Sequence, residues 1–534
     1  MAETELAPDY YLDNFFTLIH HAQNHYPDLL SEQERDWLQN FAGLPHASQC
    51  LLVRMLSRKG HWFRSDKLNY AEIGPVDVAL VALETANMVA INPPISAAEL
   101  GEHLLTKPEL IALYPTLDKR LPKPQLVANL DSQNNAPLCK LEFSVIELYQ
   151  PKTIDVLLLL FFANTHQDLS QFVLSDLGLH QFETYPLPKA RRFFQTRAQV
   201  DQRLQLSELN QRYQNAPKLR EVLVDIAAQI PTSIDHSYVD RKREQLLNHI
   251  SRDLERLGEY QAALHGFNQT TLPPSRERRA RIHDKLEQFA AMQLIVDDMQ
   301  SHPVDISEHE VASKLAARLK RRLGEKVPRS SKTKPNQQQL SLDLSELRVE
   351  IACLNHFTQQ GFETFYCENV LLNGLFGLLF WEVIFAPVDG AFINAYQSRP
   401  LDLYHPDFTL KRQNLIDQTL SQALTLPVDF WLERYKDKYS ISNPFVHWQA
   451  LPEMLVSQAL NHIPRPILVE LFKVLLSDLK LFRSGMPDLI LFKDGNFEWV
   501  EVKGPGDKLQ DSQLRWISHF ERLKVPFSVC YVKS

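Results

Sequence analysis

The chain has 534 residues, a formal net charge of −8, 44% hydrophobic residues and 23% charged residues. That length exceeds a single core and calls for three or four domains. The mild acidity counts against a protein that coats nucleic acid through a global positive field, so any nucleic-acid binding must come from local basic patches. Five scattered cysteines, odd in number and without a CxxC, fit a reducing compartment and disfavour both a disulfide framework and a zinc site. The opening MAETELAPDYY is polar and unlike a signal peptide. The apolar runs at 156–163 and 371–381 are too short to span a bilayer, so no membrane association is expected.

Residues 1–70 read as short helices. Tyr10, Tyr11, Leu12, Phe15, Phe16, Leu18 and Ile19 form an apolar stripe, and Ser31-Glu32-Gln33-Glu34 marks a helix start. The stretch 51–64 mixes Arg54, Arg58, Lys59 and Arg64 with Trp62 and Phe63, which suits contact with a nucleic-acid backbone or a solvated amphipathic face. Residues 71–185 remain mainly helical. Ser96-Ala97-Ala98-Glu99 is a capping box, a short helix should stop before Pro115, 140–145 alternates like a strand, and 154–163 reads as a buried helix.

From 186 to 328 the chain is helical and polar. Leu254, Leu257, Gly258, Tyr260, Ala263, Phe267 and Pro274 have the spacing of a tetratricopeptide half-repeat, with the glycine at the turn. Arg276, Arg278, Arg279 and Arg281 follow within six positions. Arg278 and Arg281 share a helix face, and guanidinium forks match phosphate oxygens; a solvated charged face is the alternative. Residues 330–345 are polar, lack aromatics and read as a linker closing a 186–345 domain.

The last module, 346–534, opens with an amphipathic helix over 347–359 and an apolar run after Glu368. A carboxylate at the mouth of such a run is costly unless it is paired or holds a metal. The decisive stretch is 484–516. Pro487-Asp488 begins the run Leu489–Phe492, Asp494-Gly495 signals a hairpin turn, and Phe497–Lys503 is a second strand. Glu501 and Lys503 share one strand face, Val500 and Val502 the other. Closing the hairpin brings Asp488 to Glu501 and gathers two carboxylates and a lysine, a donor set suited to a hard divalent cation.

These residues resemble the PD…(D/E)xK nuclease signature, here PD-x12-EVK. With Gly504-Pro505-Gly506-Asp507-Lys508 and Gln513-x-x-Trp516 they resemble the VRR-nuc domain, and in particular the Fanconi-associated nuclease family. The resemblance implies a multidomain chain. Its N-terminal and middle regions would be mainly α, with a SAP-type or winged-helix-like DNA-binding domain at 71–185 and tetratricopeptide-like helices at 186–345. A restriction-endonuclease-like α/β nuclease domain would occupy 346–534.

The resemblance also implies metal-dependent 5′-flap endonuclease and 5′-to-3′ exonuclease activity in DNA repair, including interstrand cross-link repair. Asp488, Glu501 and Glu368, with Glu363 as the alternative to the last, would hold Mg²⁺ or Mn²⁺ together with the Val502 carbonyl, and Lys503 would position the water. Arg276, Arg278, Arg279 and Arg281 would serve the 5′-terminal phosphate of a flap. Lys480, Arg483, Lys508 and Gln513 would contact DNA near the metal. The segments 385–392 and 400–404 would shape the substrate channel. The absence of a ubiquitin-binding zinc finger points to a bacterial-type member, cytoplasmic and nucleoid-associated, and dimerisation on DNA is left open. The readings from other classes are a non-catalytic scaffold for branched DNA and a generic junction resolvase, which needs neither the half-repeat nor the arginine cluster.

Overall fold

The computed structural model describes residues 7–58, 60–130, 136–149, 152–164, 181–328 and 335–533. They form two compact units, one of residues 1–179 with 194–204 and the other of 180–193 with 205–534.

The first unit begins with three helices, α1 (Tyr10–His25), α2 (Glu32–Ala42) and α3 (His46–Leu56). The Ser31 signal is a true capping box: its hydroxyl accepts from the Glu34 N–H, and the Glu34 carboxylate accepts from the Ser31 N–H. Strand β1 (Trp62–Arg64), α4 (Val76–Thr85), β2 (Val89–Ile91), the short helices α5 (Ala97–His103), α6 (Lys107–Leu113) and α7 (Lys123–Ala128), β3 (Val145–Leu148) and α8 (Lys152–Phe162) follow. β3 lies between β1 and β2 in an antiparallel sheet. A boundary at residue 70 is therefore misplaced, because it separates β1 from its partner. The strand expected over 140–145 begins at Val145, since 138–140 form a 3₁₀ turn. The basic residues of the 51–64 stretch are also less available than their spacing suggests. Arg54 pairs with Glu72 at 2.7 Å, and Arg64 pairs with Asp66 and Glu109.

α9 (Arg197–Asn215) begins in the first unit and ends in the second, where α10 (Arg220–Ala228), α11 (Ser237–Arg256), α12 (Tyr260–Phe267), α13 (Ser275–Lys285), α14 (Phe289–Ser301) and α15 (Ile306–Arg322) follow. The half-repeat is present as a helical hairpin of α11 and α12. Leu254 and Ala263 are buried across it, and Gly258 makes the turn at φ +83°. Leu257 instead faces solvent.

The nuclease module has one mixed sheet, ordered β4-β8-β7-β6-β5. Its strands are β4 (Gln337–Ser341), β5 (Glu363–Tyr366), β6 (Leu489–Lys493), β7 (Asn496–Lys503) and β8 (Phe527–Lys533). The expected linker is thus partly wrong: residues 329–334 lie outside the described residues, whereas 337–341 form an edge strand parallel to β8. Alternating side chains explain how the sheet is sandwiched. Leu489, Leu491, Val500 and Val502 pack on Cys353 and Phe357 of α16 (Val349–Gln359). Ile490, Phe492 and Trp499 face the other core. That core includes α17 (Leu371–Leu379), further helices of the 381–482 region and α25 (Asp511–Leu523), which buries Trp516 and Phe520. The intervening helices are α18 (Trp381–Ile384), α19 (Asp407–Lys411), α20 (Gln413–Ala423), α21 (Val428–Asp437), α22 (Glu453–His462), α23 (Arg465–Ser477) and α24 (Leu479–Phe482). β8 runs parallel to β7, with Val500 opposite Ser528 and Val502 opposite Cys530.

Candidate active site

The β6–β7 hairpin closes at Asp494 and Gly495, whose φ values of 48° and 77° are both left-handed. Two such residues in a two-residue loop match the right-handed twist of the flanking strands. Lys493 pairs with Asn496 and Leu489 with Val500, which sets Asp488 beside Glu501 at the far end of the ladder.

The approach to Asp488 is fixed by side chains from three elements. The Asn373 amide donates to the Arg483 carbonyl at 2.8 Å, the Met486 N–H donates to Asn369 Oδ1 at 3.1 Å, and the Trp516 indole N–H donates to the Phe482 and Ser484 carbonyls. Gly485 sits at φ +92°, and a Cβ there would lie 2.6 Å from the Ser512 carbonyl carbon at the start of α25. Only glycine permits that approach.

Asp488, Glu501 and Lys503 are 8%, 1% and 7% exposed, so the charged trio is buried. The Val502 N–H donates to Asp488 Oδ2 at 2.8 Å. Lys503 Nζ lies 2.8 Å from Glu501 Oε1, which also accepts from the Gln513 amide. Burial pushes the Asp488 carboxyl up to about 6, with further upward pressure from Glu368 and Glu350. Burial pushes Glu501 up to about 8, and the Asp488 charge adds to that. One lysine does not balance two desolvated carboxylates, so the trio retains an affinity for positive charge.

Glu368 departs from the expectation. It precedes α17 rather than beginning it, and its side chain is exposed, accepting from the Tyr366 hydroxyl at 2.7 Å and from the Asn369 amide at 3.3 Å. The burial argument made for it therefore fails, although its charge still raises Asp488 and Glu501. Among the described residues, no three His, Cys, Asp or Glu side chains are gathered closely enough to hold a metal ion. Two carboxylates meet, and Glu368 would have to leave Tyr366 to join them. Glu363, the alternative, is an exposed residue at the start of β5, opposite Phe492.

Glu350, at the N-terminal end of α16, was missed. It bears on Asp488 from the helix face that carries buried Cys353 and Phe357. The available signal was an acid three residues before Cys353 and seven before Phe357, on an otherwise apolar stripe.

The basic candidates divide into two groups. Lys480 and Lys508 are exposed, and Arg483 donates to the Tyr404 hydroxyl at 2.7 Å, so the 400–404 segment lies against the approach to Asp488. Gln513 reaches Glu501 directly. On α13, by contrast, Arg276 is held by Glu308 and Asp298, Arg278 forks onto Glu255, and Arg281 pairs with Glu277 at 2.7 Å. Arg279 is half-buried, with its Nε unpaired. The four arginines therefore do not present one free cationic face.

A family model described as "VRR-NUC domain" matches residues 428–534, and one described as "FAN1, HTH domain" matches residues 9–90, across the boundary expected at 70. The Fanconi-associated nuclease 1 homolog of Pseudomonas aeruginosa is 35% identical over 98% of this chain and 96% of its own length. The chain belongs to the Fanconi-associated nuclease 1 family. Human Fanconi-associated nuclease 1 is 23% identical, and the match takes in 98% of this chain but 62% of the human one. The crystal structure of paFAN1 bound to 2nt 5′ flap DNA with gap superposes with a TM-score of 0.90 at 35% identity, covering 99% of both chains. A second, bound to 1nt 5′ flap DNA with gap, gives 0.87.

The chain is accordingly a nuclease with a divalent-metal-dependent VRR-NUC domain. Its residues fit such an ion, because hard carboxylate oxygens are buried together with too little positive charge. No helix among the described residues is long and apolar enough to cross a membrane.

Proposed function

We propose that this nuclease cleaves DNA bearing a 5′ flap, as an endonuclease and as a 5′-to-3′ exonuclease, and serves DNA repair, including interstrand cross-link repair. The observation that carries the reading is the buried Asp488–Glu501–Lys503 trio, one lysine against two carboxylates. Asp488, Glu501 and the Val502 carbonyl would hold Mg²⁺ or Mn²⁺, with Glu368 completing the set after releasing Tyr366. The bound ion supplies Lewis-acid polarisation of the phosphodiester and a more acidic water. Lys503, 2.8 Å from Glu501, would orient the attacking water. Gln513 holds the Glu501 carboxylate in one orientation. Lys480, Arg483 and Lys508 would take phosphates beside the scissile one, and the 385–392 and 400–404 segments would line the channel. The flap preference is supported by the DNA named in the two paFAN1 structures.

The test is cleavage of labelled 5′-flap, four-way-junction and plain duplex DNA by wild type and Asp488→Ala with Mg²⁺, Mn²⁺ or EDTA. Metal-dependent cutting by wild type alone, with the flap preferred, is the expected result. Equal cutting by both proteins removes Asp488 from the site, and a junction preference replaces the flap reading with a resolvase.

A further inference from the structure

A cavity of about 460 Å³ lies on the helical part of the second unit, lined by Arg281 of α13 and by Lys314, Leu315, Arg318, Arg321 and Arg322 of α15. Five of its six lining residues are cationic. Lys314, Arg318 and Arg322 recur every four residues and so stack on one face of α15, over a rise of about 12 Å.

The acids nearby do not neutralise this face. Buried Asp284 accepts from both Arg318, at 2.5 Å, and Arg322, at 3.1 Å, so one carboxylate serves two guanidiniums and fixes them in place. Glu277 holds Arg281, and Lys314 reaches Asp511 only at 3.8 Å, with both side chains largely exposed. Arg321 is exposed and has no ion pair among the described residues. A row of like charges on one helix is unfavourable in isolation, and an anion relieves it.

The placement bears on the chemistry. The same helix is tied to α25, whose Gln513 holds Glu501, by the Arg515–Glu310 pair at 2.8 Å. The cationic row therefore sits one helix away from the catalytic strand, within one unit.

We infer that this cavity is a docking site for the sugar–phosphate backbone of a duplex arm of the substrate, engaging internal phosphates rather than a chain end. Duplex DNA offers a charge about every 3.4 Å along each strand, so a row of this length spans several phosphates. Arg318 and Arg322 are held side by side by Asp284, and the exposed Lys314 and Arg321 add two further cations. The inference rests on the reading of the chain as a DNA nuclease but does not need the flap preference.

The experiment compares wild type with the Lys314→Gln/Arg321→Gln double variant, which leaves the Asp284 pairs intact. Binding in EDTA is measured against salt concentration for plain duplex and for flap DNA with and without a 5′ phosphate. Each neutralised phosphate contact contributes about 0.9 to the slope of log affinity against log salt. The expected result is a slope flattened by about 1 to 2, with several-fold weaker binding, on all three DNAs. Unchanged affinity and slope on all three overturn the inference. A deficit confined to the 5′-phosphorylated flap also overturns it, because the cavity would then hold an end phosphate. If wild type shows no flap preference while the duplex slope still flattens in the variant, the flap reading fails and this one stands.

Discussion

Two regions of the nuclease carry dense charge, and they balance it in opposite ways. On α13 three of the four arginines are held by acids: Arg278 faces Glu255, which is 4% exposed and also takes Arg252 and Lys285, Arg276 faces Glu308 and Asp298, and Arg281 faces Glu277. At the end of the β6–β7 hairpin two carboxylates are buried with one lysine. The first region supplies acids for Arg276, Arg278 and Arg281, whereas the second leaves two carboxylates short of positive charge. The deficit of partners, rather than the density of charge, is what makes the hairpin the candidate place for chemistry.

The contrast is broken most severely at the hairpin. Lys503→Ala should lose about 10²- to 10⁴-fold in cleavage rate while retaining DNA binding. Single-turnover kinetics alongside a binding assay check this, and loss of binding alone would move Lys503 from chemistry to docking. Next in size, Glu255→Ala should destabilise the fold by about 3–5 kcal/mol, because it leaves Arg278 uncompensated in a largely buried place. The matching substitution at the hairpin, Glu501→Gln, should stabilise the metal-free protein while abolishing cleavage. Denaturant unfolding in EDTA distinguishes the two regions by opposite signs.

Gly485→Ala should cost about 1–3 kcal/mol through its positive φ and its approach to Ser512, and should lower activity by displacing Asp488. Retained stability and rate would show that the loop has room to shift.

The smallest effect is a pH dependence of the metal-free fold. Asp488 and Glu501 titrate near 6 and 8 when folded, above their ordinary values of 3.8 and 4.5. Between those ordinary values and the folded ones, the unfolded chain has released protons that the folded site keeps. Stability therefore falls as pH rises through that window. Melting temperature in EDTA should decline from about pH 5 to pH 8, and the Asp488→Asn/Glu501→Gln double variant should decline less. Equal slopes would mean that the carboxylates are not held protonated.

Much of the site was legible because it is local. The hairpin turn, the alternation of Val500 and Val502 with Glu501 and Lys503, and the Pro487-Asp488 start all follow from period-2 geometry within about twenty residues. What was not legible depends on partners distant in sequence. Nothing near Arg278 announces Glu255, and nothing near Glu368 announces that Tyr366 will hold it at the surface. The charge of Glu350 bears on Asp488 only because α16 packs under the sheet. The polar stretch 337–341 has the composition of a linker, and becomes a strand because β8 offers it an unpaired edge.

That edge strand has a consequence for how the module can be excised. β8 pairs with β7 on one side, and its other row of N–H and C=O groups is covered by β4 from Gln337 to Ser341. A fragment beginning at 346 would uncover a seven-residue strand with Val529, Cys530 and Val532 along it. Bare edges of that kind recruit other chains. The self-sufficient nuclease domain therefore begins ahead of residue 337, and the segment that joins the helical region to it also seals it.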